Sequence, residues 1–221
     1  MVGEFMAQSR LACALAGAAV SVLALTGCAG GDPGAAQTPP DSPSASASAP
    51  ASVPPSATPT PTPSPASADG PAVNIPVPEK PALADENTVE GLEAFTEWWF
   101  ELGNYAVITG NSAPWIAETD PGCKNCSALV DSVNRSHADG GWVVGGSVTV
   151  ETFDSKFRET TQGSVASFVT MSQDASAYYS SEGNLIEELP AREEQVVRQT
   201  FAEHNGERWI MLDFGSPNTG S

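Results

Sequence analysis

From Val89 onward the apolar residues recur at helical spacing. Val89, Leu92, Phe95, Trp99, Leu102 and Ala106 fall three or four apart, and Glu90, Glu93, Glu97 and Glu101 form a second, acidic stripe. The pattern predicts a helix that opens at a capping-box-like Asn87/Glu90 pair and closes at Gly110-Asn111. The aromatic cluster Phe95, Trp98, Trp99 and Phe100 is wider than one stripe. It predicts packing against a sheet, with a part in lining a ligand cavity as the other reading. A short second helix is expected after Ser112, with that serine as cap and Pro114 in the first turn. Asp120-Pro121-Gly122 then makes a turn. A third helix of about three turns follows, with Cys126, Leu129, Val130, Val133 and His137 on one face.

After Asp139-Gly140-Gly141 the period changes to two. "WVVGGSVTVETFDSKF" reads as a strand with a bulge or bend at Gly145-Gly146. "GSVASFVTMSQ" reads as a second strand that extends to Tyr178-Tyr179. "REEQVVRQTFAEH" has residues that suit a helix, but Asn205-Gly206 before "RWIMLDF" is a hairpin signal, so both flanks are predicted to be strands. Val197, Phe201, Ile210, Leu212 and Phe214 are the candidate core positions of that hairpin. Helices followed by long antiparallel strands make an α+β pattern: N-terminal helices packed on a curved four-stranded antiparallel sheet that wraps the first helix.

The N-terminal third has another character. Leu11 to Leu25 is an uninterrupted run of 15 apolar and small residues behind Arg10. At about 22 Å of helix it is short for a membrane span and fits a secretory h-region. Met6 is an alternative start that would remove Glu4 from the n-region. Leu25-Thr26-Gly27-Cys28 resembles the bacterial lipobox, which implies that Cys28 carries diacylglycerol and becomes the first residue after cleavage. The other reading is an ordinary secretory signal with Cys28 incidental. Residues 1–27 are thus expected to be a signal peptide. Ala29 to Pro78 holds 14 of the chain's 19 prolines and no Lys, Arg, Trp, Tyr or Phe. Residues 28–83 are therefore expected to be the lipidated cysteine and a disordered tether, 84–215 the folded domain, and 216–221 a frayed end. Extended, the tether reaches at most about 150 Å. Its Ser and Thr residues are candidate O-glycosylation sites or plain spacer.

The formal net charge is −18. Such a surface repels phosphate backbones, which excludes nucleic acid as a partner class, and it suits a soluble exported domain. Against this background the pair Cys123/Cys126 has three readings. An oxidising compartment favours a structural disulfide that pins the turn to the third helix. Cys-x-x-Cys at a helix start is also the redox spacing, although no strand precedes it in a βαβ unit. Zinc needs two more ligands, and neither His137 nor His204 falls in an H-x₃₋₅-H pair.

The order of elements resembles the NTF2-like, cystatin-type cone. "FTEWWFELGNYAVITGN", "PGCKNC" and "GGWVVGG" together also resemble an uncharacterised family of actinobacterial lipoproteins. The resemblance covers about Glu86 to Gly215 and implies a fold and an address, not an activity. The expectation is a lipoprotein on the outer face of the cell membrane, anchored there by lipid. Its domain would be a non-catalytic binding or scaffold module that takes a small apolar ligand or an envelope protein. NTF2-like folds also often pair through the outer face of the sheet, so a homodimer is a further expectation. Trp98, Trp115, Trp142 and Tyr178 are the candidate pocket at the open end of the cone. No G-x-S-x-G or H-E-x-x-H occurs, and no catalytic residue, metal or cofactor is assigned. Two other readings remain. One is thiol–disulfide exchange at Cys123/Cys126. The other is a ketosteroid-isomerase-like enzyme, with Asp131, Asp154 or Asp213 as base and Tyr178 or Tyr179 as donor.

Overall fold

The computed structural model describes residues 61–217, with the backbone alone described at 193–195. The predicted signal peptide, Cys28 and the tether up to residue 60 lie outside the described residues. What is described is an α+β arrangement of three α-helices and two antiparallel sheets.

Helix α1 spans Val89–Thr109. Its cap is Thr88, one residue later than expected, because the Thr88 Oγ1 is the oxygen that accepts the Gly91 N–H, at 3.0 Å. Gly110 ends it in the left-handed region, as the sequence predicts. Leu92, Phe95, Trp99 and Leu102 are fully buried. Trp98 and Phe100 are buried as well, because α1 meets β-strands on one side and helix α2 and the turn at Ala82–Asp85 elsewhere. Helix α2 is Ala113–Ala117, and Ser112 makes no side-chain cap bond. Helix α3 is Lys124–Ser136, with Cys126 and Val133 as its buried residues.

The strands depart from the expected four. The run from Trp142 is two strands, β1 (Trp142–Gly145) and β2 (Val148–Glu159), in different sheets. Gly145 and Gly146 are the crossing between sheets, not a bulge within one. Both have positive φ, and a Cβ at Gly145 would lie 2.3 Å from the Ala175 carbonyl oxygen. The next predicted strand divides in the same way, into β3 (Val165–Gln173) and β4 (Ser176–Tyr179). Strand β5 (Leu185–Leu189) was not expected, since every residue in it is exposed and none of its burial alternates. Strands β6 (Arg192–His204) and β7 (Trp209–Gly215) form the predicted hairpin around Asn205-Gly206. The smaller sheet has the order β1-β4-β5 and the larger β2-β3-β6-β7.

The hairpin's inner face is a correction. Val197 is 44% exposed, and Phe201, Ile210 and Leu212 are only half-buried. The buried positions are Thr200, Ala202, Trp209 and Met211. A register shift between Phe201 and Ala202 accompanies this parity, and the core is filled from β7 by Trp209 and Met211. Phe214 does pack against the core.

The tether expectation also needs correction over residues 61–83. Ser64 and Val73 exchange two backbone hydrogen bonds, and so do Ser67 and Gly70. The indole N–H of Trp98 donates to the Pro78 carbonyl at 3.1 Å, and Lys80 Nζ lies 5.1 Å from the Trp98 ring centroid. Proline removes a backbone donor but keeps the carbonyl. A proline-rich segment with little apolar surface of its own can therefore be held by indole donors on the domain.

Candidate functional site

The four aromatic residues proposed as one pocket do not converge. Trp98 is buried under Pro78 and Lys80. Trp142 stacks on Tyr179 at 5.3 Å and 9° and donates its N–H to the Ser67 carbonyl. Only Trp115 and Tyr178 share a cavity, about 220 Å³ in volume, with Val107, Leu129, Val133 and Gln173 among its walls. Trp115 is buried, and its indole N–H has no partner among the described residues.

A larger opening adjoins that cavity. It is a groove of about 980 Å³ between α3 and the β6–β7 end of the large sheet. Lys124, Asn125, Ala128 and Leu129 line it from the helix, and Arg198, Phe201, Leu212 and Phe214 from the strands. Leu129 belongs to both spaces. A third, smaller notch contains Arg198 together with Gln173, Met171 and Arg192. The three depressions are neighbours that share lining residues pairwise, at Leu129, Gln173 and Arg198, and we call the groove with its two neighbours the mouth.

Register explains why a guanidinium stands there. Arg198 pairs across strands with Val169, which is fully buried, so both lie on the helix-facing side of the sheet. Two residues further along β6, Thr200 is buried against Ser167 at 2.5 Å. Arg198 therefore marks where the core ends and the mouth begins. Lys80, Lys156 and Arg208 are engaged with acids. Lys124, Arg192 and Arg198 make no ion pair with the described carboxylates. Among the described residues, Asp213 is the one carboxylate in the groove wall. Its Oδ1 accepts from Asn125 Nδ2 at 3.1 Å and from the Phe214 N–H at 2.9 Å, which ties β7 to the start of α3.

The cysteines underpin that junction. Cys123 and Cys126 are disulfide-bonded with Cα atoms 5.3 Å apart. They are 1% and 3% exposed, so neither sulfur is presented to a partner thiol. Cys123 Sγ accepts the Cys126 N–H at 3.1 Å and lies 3.7 Å from Asp213 Oδ1. That second contact is packing, since a disulfide sulfur has no proton to donate.

The remaining candidates are dispersed. His137 Nε2 bonds the Val107 carbonyl. His204 Nε2 bonds the Asp85 carbonyl while its Nδ1 accepts the Gly206 N–H. Asp154 is exposed beside Lys156, and Asp131, also exposed, borders a cavity of about 280 Å³ with Trp115 and Ile116. Asp213 lines the groove, Asp131 the cavity beside Trp115, and Tyr178 the cavity beneath α3, so among the described residues these candidate groups border different spaces. Among the described residues, no three of His, Cys, Asp and Glu cluster in a way that could hold a metal. Arg198 was missed in the sequence because a lone arginine in a strand looks solvated until its cross-strand partner is known.

A model for a family of unknown function, DUF6318, matches residues 61–214. The matched span begins in the segment held by Trp98 and Trp142, not at Ala84. No curated protein matches the chain.

Proposed function

The chain belongs to DUF6318, a family of unknown function, and we propose that it is a lipid-anchored envelope protein whose domain binds a ligand or partner without catalysis. The observation that carries the binding reading is the mouth between α3 and the sheet. It is open, partly apolar and bordered by cations without described acidic partners. Both histidines and both described cysteines are engaged elsewhere in structural bonds, which leaves the groove walls to aliphatic, aromatic, amide and charged groups. The larger sheet with α1 packed on it is consistent with an NTF2-like cone. The anchor rests on the lipobox-like Leu25-Thr26-Gly27-Cys28 behind its apolar run, and on the proline-rich stretch that follows. The thiol-exchange reading is weakened by the burial of Cys123 and Cys126. Self-association would use the sheet's outer face, where Phe168 and Val197 are exposed.

Two measurements test this. A clickable fatty acid fed to actinobacterial cells making the chain should label it, and C28A should abolish the label and release the protein from the membrane fraction. Native mass spectrometry of the protein from its own envelope should show a bound mass. A128W, which fills the groove from the exposed face of α3, should remove that mass. Unchanged membrane retention in C28A, or an identical spectrum for A128W, would overturn the corresponding half.

A further inference from the structure

The cations around the mouth are unusual for this chain. The whole protein has 27 acidic and 9 basic residues. Yet Lys124 and Arg198 face one groove from opposite walls, and Arg192 stands with Arg198 in the adjoining notch. Elsewhere, Lys80, Lys156 and Arg208 are held by acids within 4.0 Å. In a field this negative, cations that make no ion pair with the described carboxylates make a local site of opposite sign. Asp213 in the same wall offsets one of these charges, which leaves the two cations Lys124 and Arg198 with a net positive balance in the groove.

Next to this charged mouth lies a mostly apolar cavity of about 220 Å³, where Val107, Trp115, Leu129 and Val133 stand beside Ser132 and Ser136. An engineered apolar cavity of about 150 Å³ is enough to bind benzene, so this one accommodates a short alkyl or aromatic tail. The two spaces share Leu129, and Gln173 stands both in the cavity wall and beside Arg198 in the notch. A ligand that fills both has a negative head and a compact apolar tail.

We infer that the mouth takes a small amphiphilic anion, its carboxylate or phosphate head on Arg198 and Lys124 and its tail in the cavity beneath α3. This rests on the binding reading above and narrows it to a ligand class. Arg198 supplies the fork that suits a planar or tetrahedral oxyanion, and Lys124 a single point charge.

The test is calorimetric titration of the full chain carrying C28S, so that no acyl chain competes. The probes are octanoate, octyl phosphate, octyl glucoside and octylammonium. Octanoate or octyl phosphate should bind, and the preferred one of the two identifies the head. R198Q should weaken that binding at least about tenfold and K124Q by a smaller factor, while R198K retains part of it. The affinity should also fall with added salt. If R198Q loses its fold, R198K and K124Q still carry the test through their graded effect. Octyl glucoside binding as tightly as the anions would overturn the ligand class but leave the binding module standing. No binding by any probe would overturn the inference itself, and the A128W mass comparison would then decide the wider reading separately.

Discussion

Trp142 donates its indole N–H to the carbonyl of Ser67, 75 positions earlier in the chain, at 2.8 Å. That bond joins a proline-rich segment, which reads as tether, to the small sheet. Trp98 makes a matching bond to Pro78 on the other side of the strap. The folded unit therefore includes residues that a hydrophobicity reading discards. A chain that begins at Ala84 should melt lower than one that begins at residue 61. W142F should lose about 1 kcal/mol, or roughly 2–4 °C, in the longer chain and much less in the shorter one. Thermal melts of the four proteins measure this. Equal melting temperatures for the two lengths would contradict it.

Gly91 offers a test of the α1 start. Replacing a helical glycine by alanine ordinarily gains up to about 1 kcal/mol. Here the added Cβ would sit 2.0 Å from the Glu86 carbonyl oxygen and 3.0 Å from that of Leu83. Trp209 donates its indole N–H to the same Glu86 oxygen at 2.8 Å, so the loop cannot retreat without disturbing the core. G91A should therefore destabilise the protein in urea unfolding despite its better helix propensity.

The disulfide closes a loop of sequence separation 3, so its effect on the unfolded chain is small. C123A/C126A should cost about 2 kcal/mol or less and leave the fold intact. Because both sulfurs are buried, dithiothreitol should reduce the native bond only as fast as the α3 junction opens. Alkylation kinetics with and without mild denaturant report this. Rapid reduction in native buffer would revive the redox reading.

The acidic stripe of α1 predicts a pH effect. Burial first, and then the charges of Glu93 and Glu101, raise the Glu97 carboxyl above its ordinary value. A group raised on folding favours the folded state most when protonated. Its contribution is complete below the unfolded pKa and is lost as pH rises through the folded one. E97Q should thus melt higher than the parent near neutral pH, with the gap closing on acidification below about pH 4. The effect is small, because Glu97 is largely solvent-accessible.

The helices and the last hairpin were legible because periodicity and end signals agreed: the α1 stripe ended at Gly110, and Asn205-Gly206 joined β6 to β7. The strand faces were not. Phe201, Ile210 and Leu212 attract the eye by size, while the buried places next to them hold Thr200, Ala202 and Met211. Strand parity is set by pairing and by the irregularity at Phe201/Ala202, which a single sequence does not display. The division into two sheets was hidden for a similar reason. A glycine pair that permits a bulge also permits a crossing, and only the position of Ala175 chooses between them. The candidate site failed at Trp98 and Trp142, whose N–H groups hold the strap, and succeeded in part at Trp115 and Tyr178.

Ligand engagement at the opening between α3 and the large sheet is directly measurable. Amide chemical-shift mapping of the full C28S chain with octanoate added tests it most directly. Saturable shifts should be confined to Lys124–Leu129, Gln173 and the stretch around Arg198, all of them absent in A128W. Shifts spread instead over the outer face of β2 and β3 around Phe168, or unaffected by A128W, would place the ligand elsewhere.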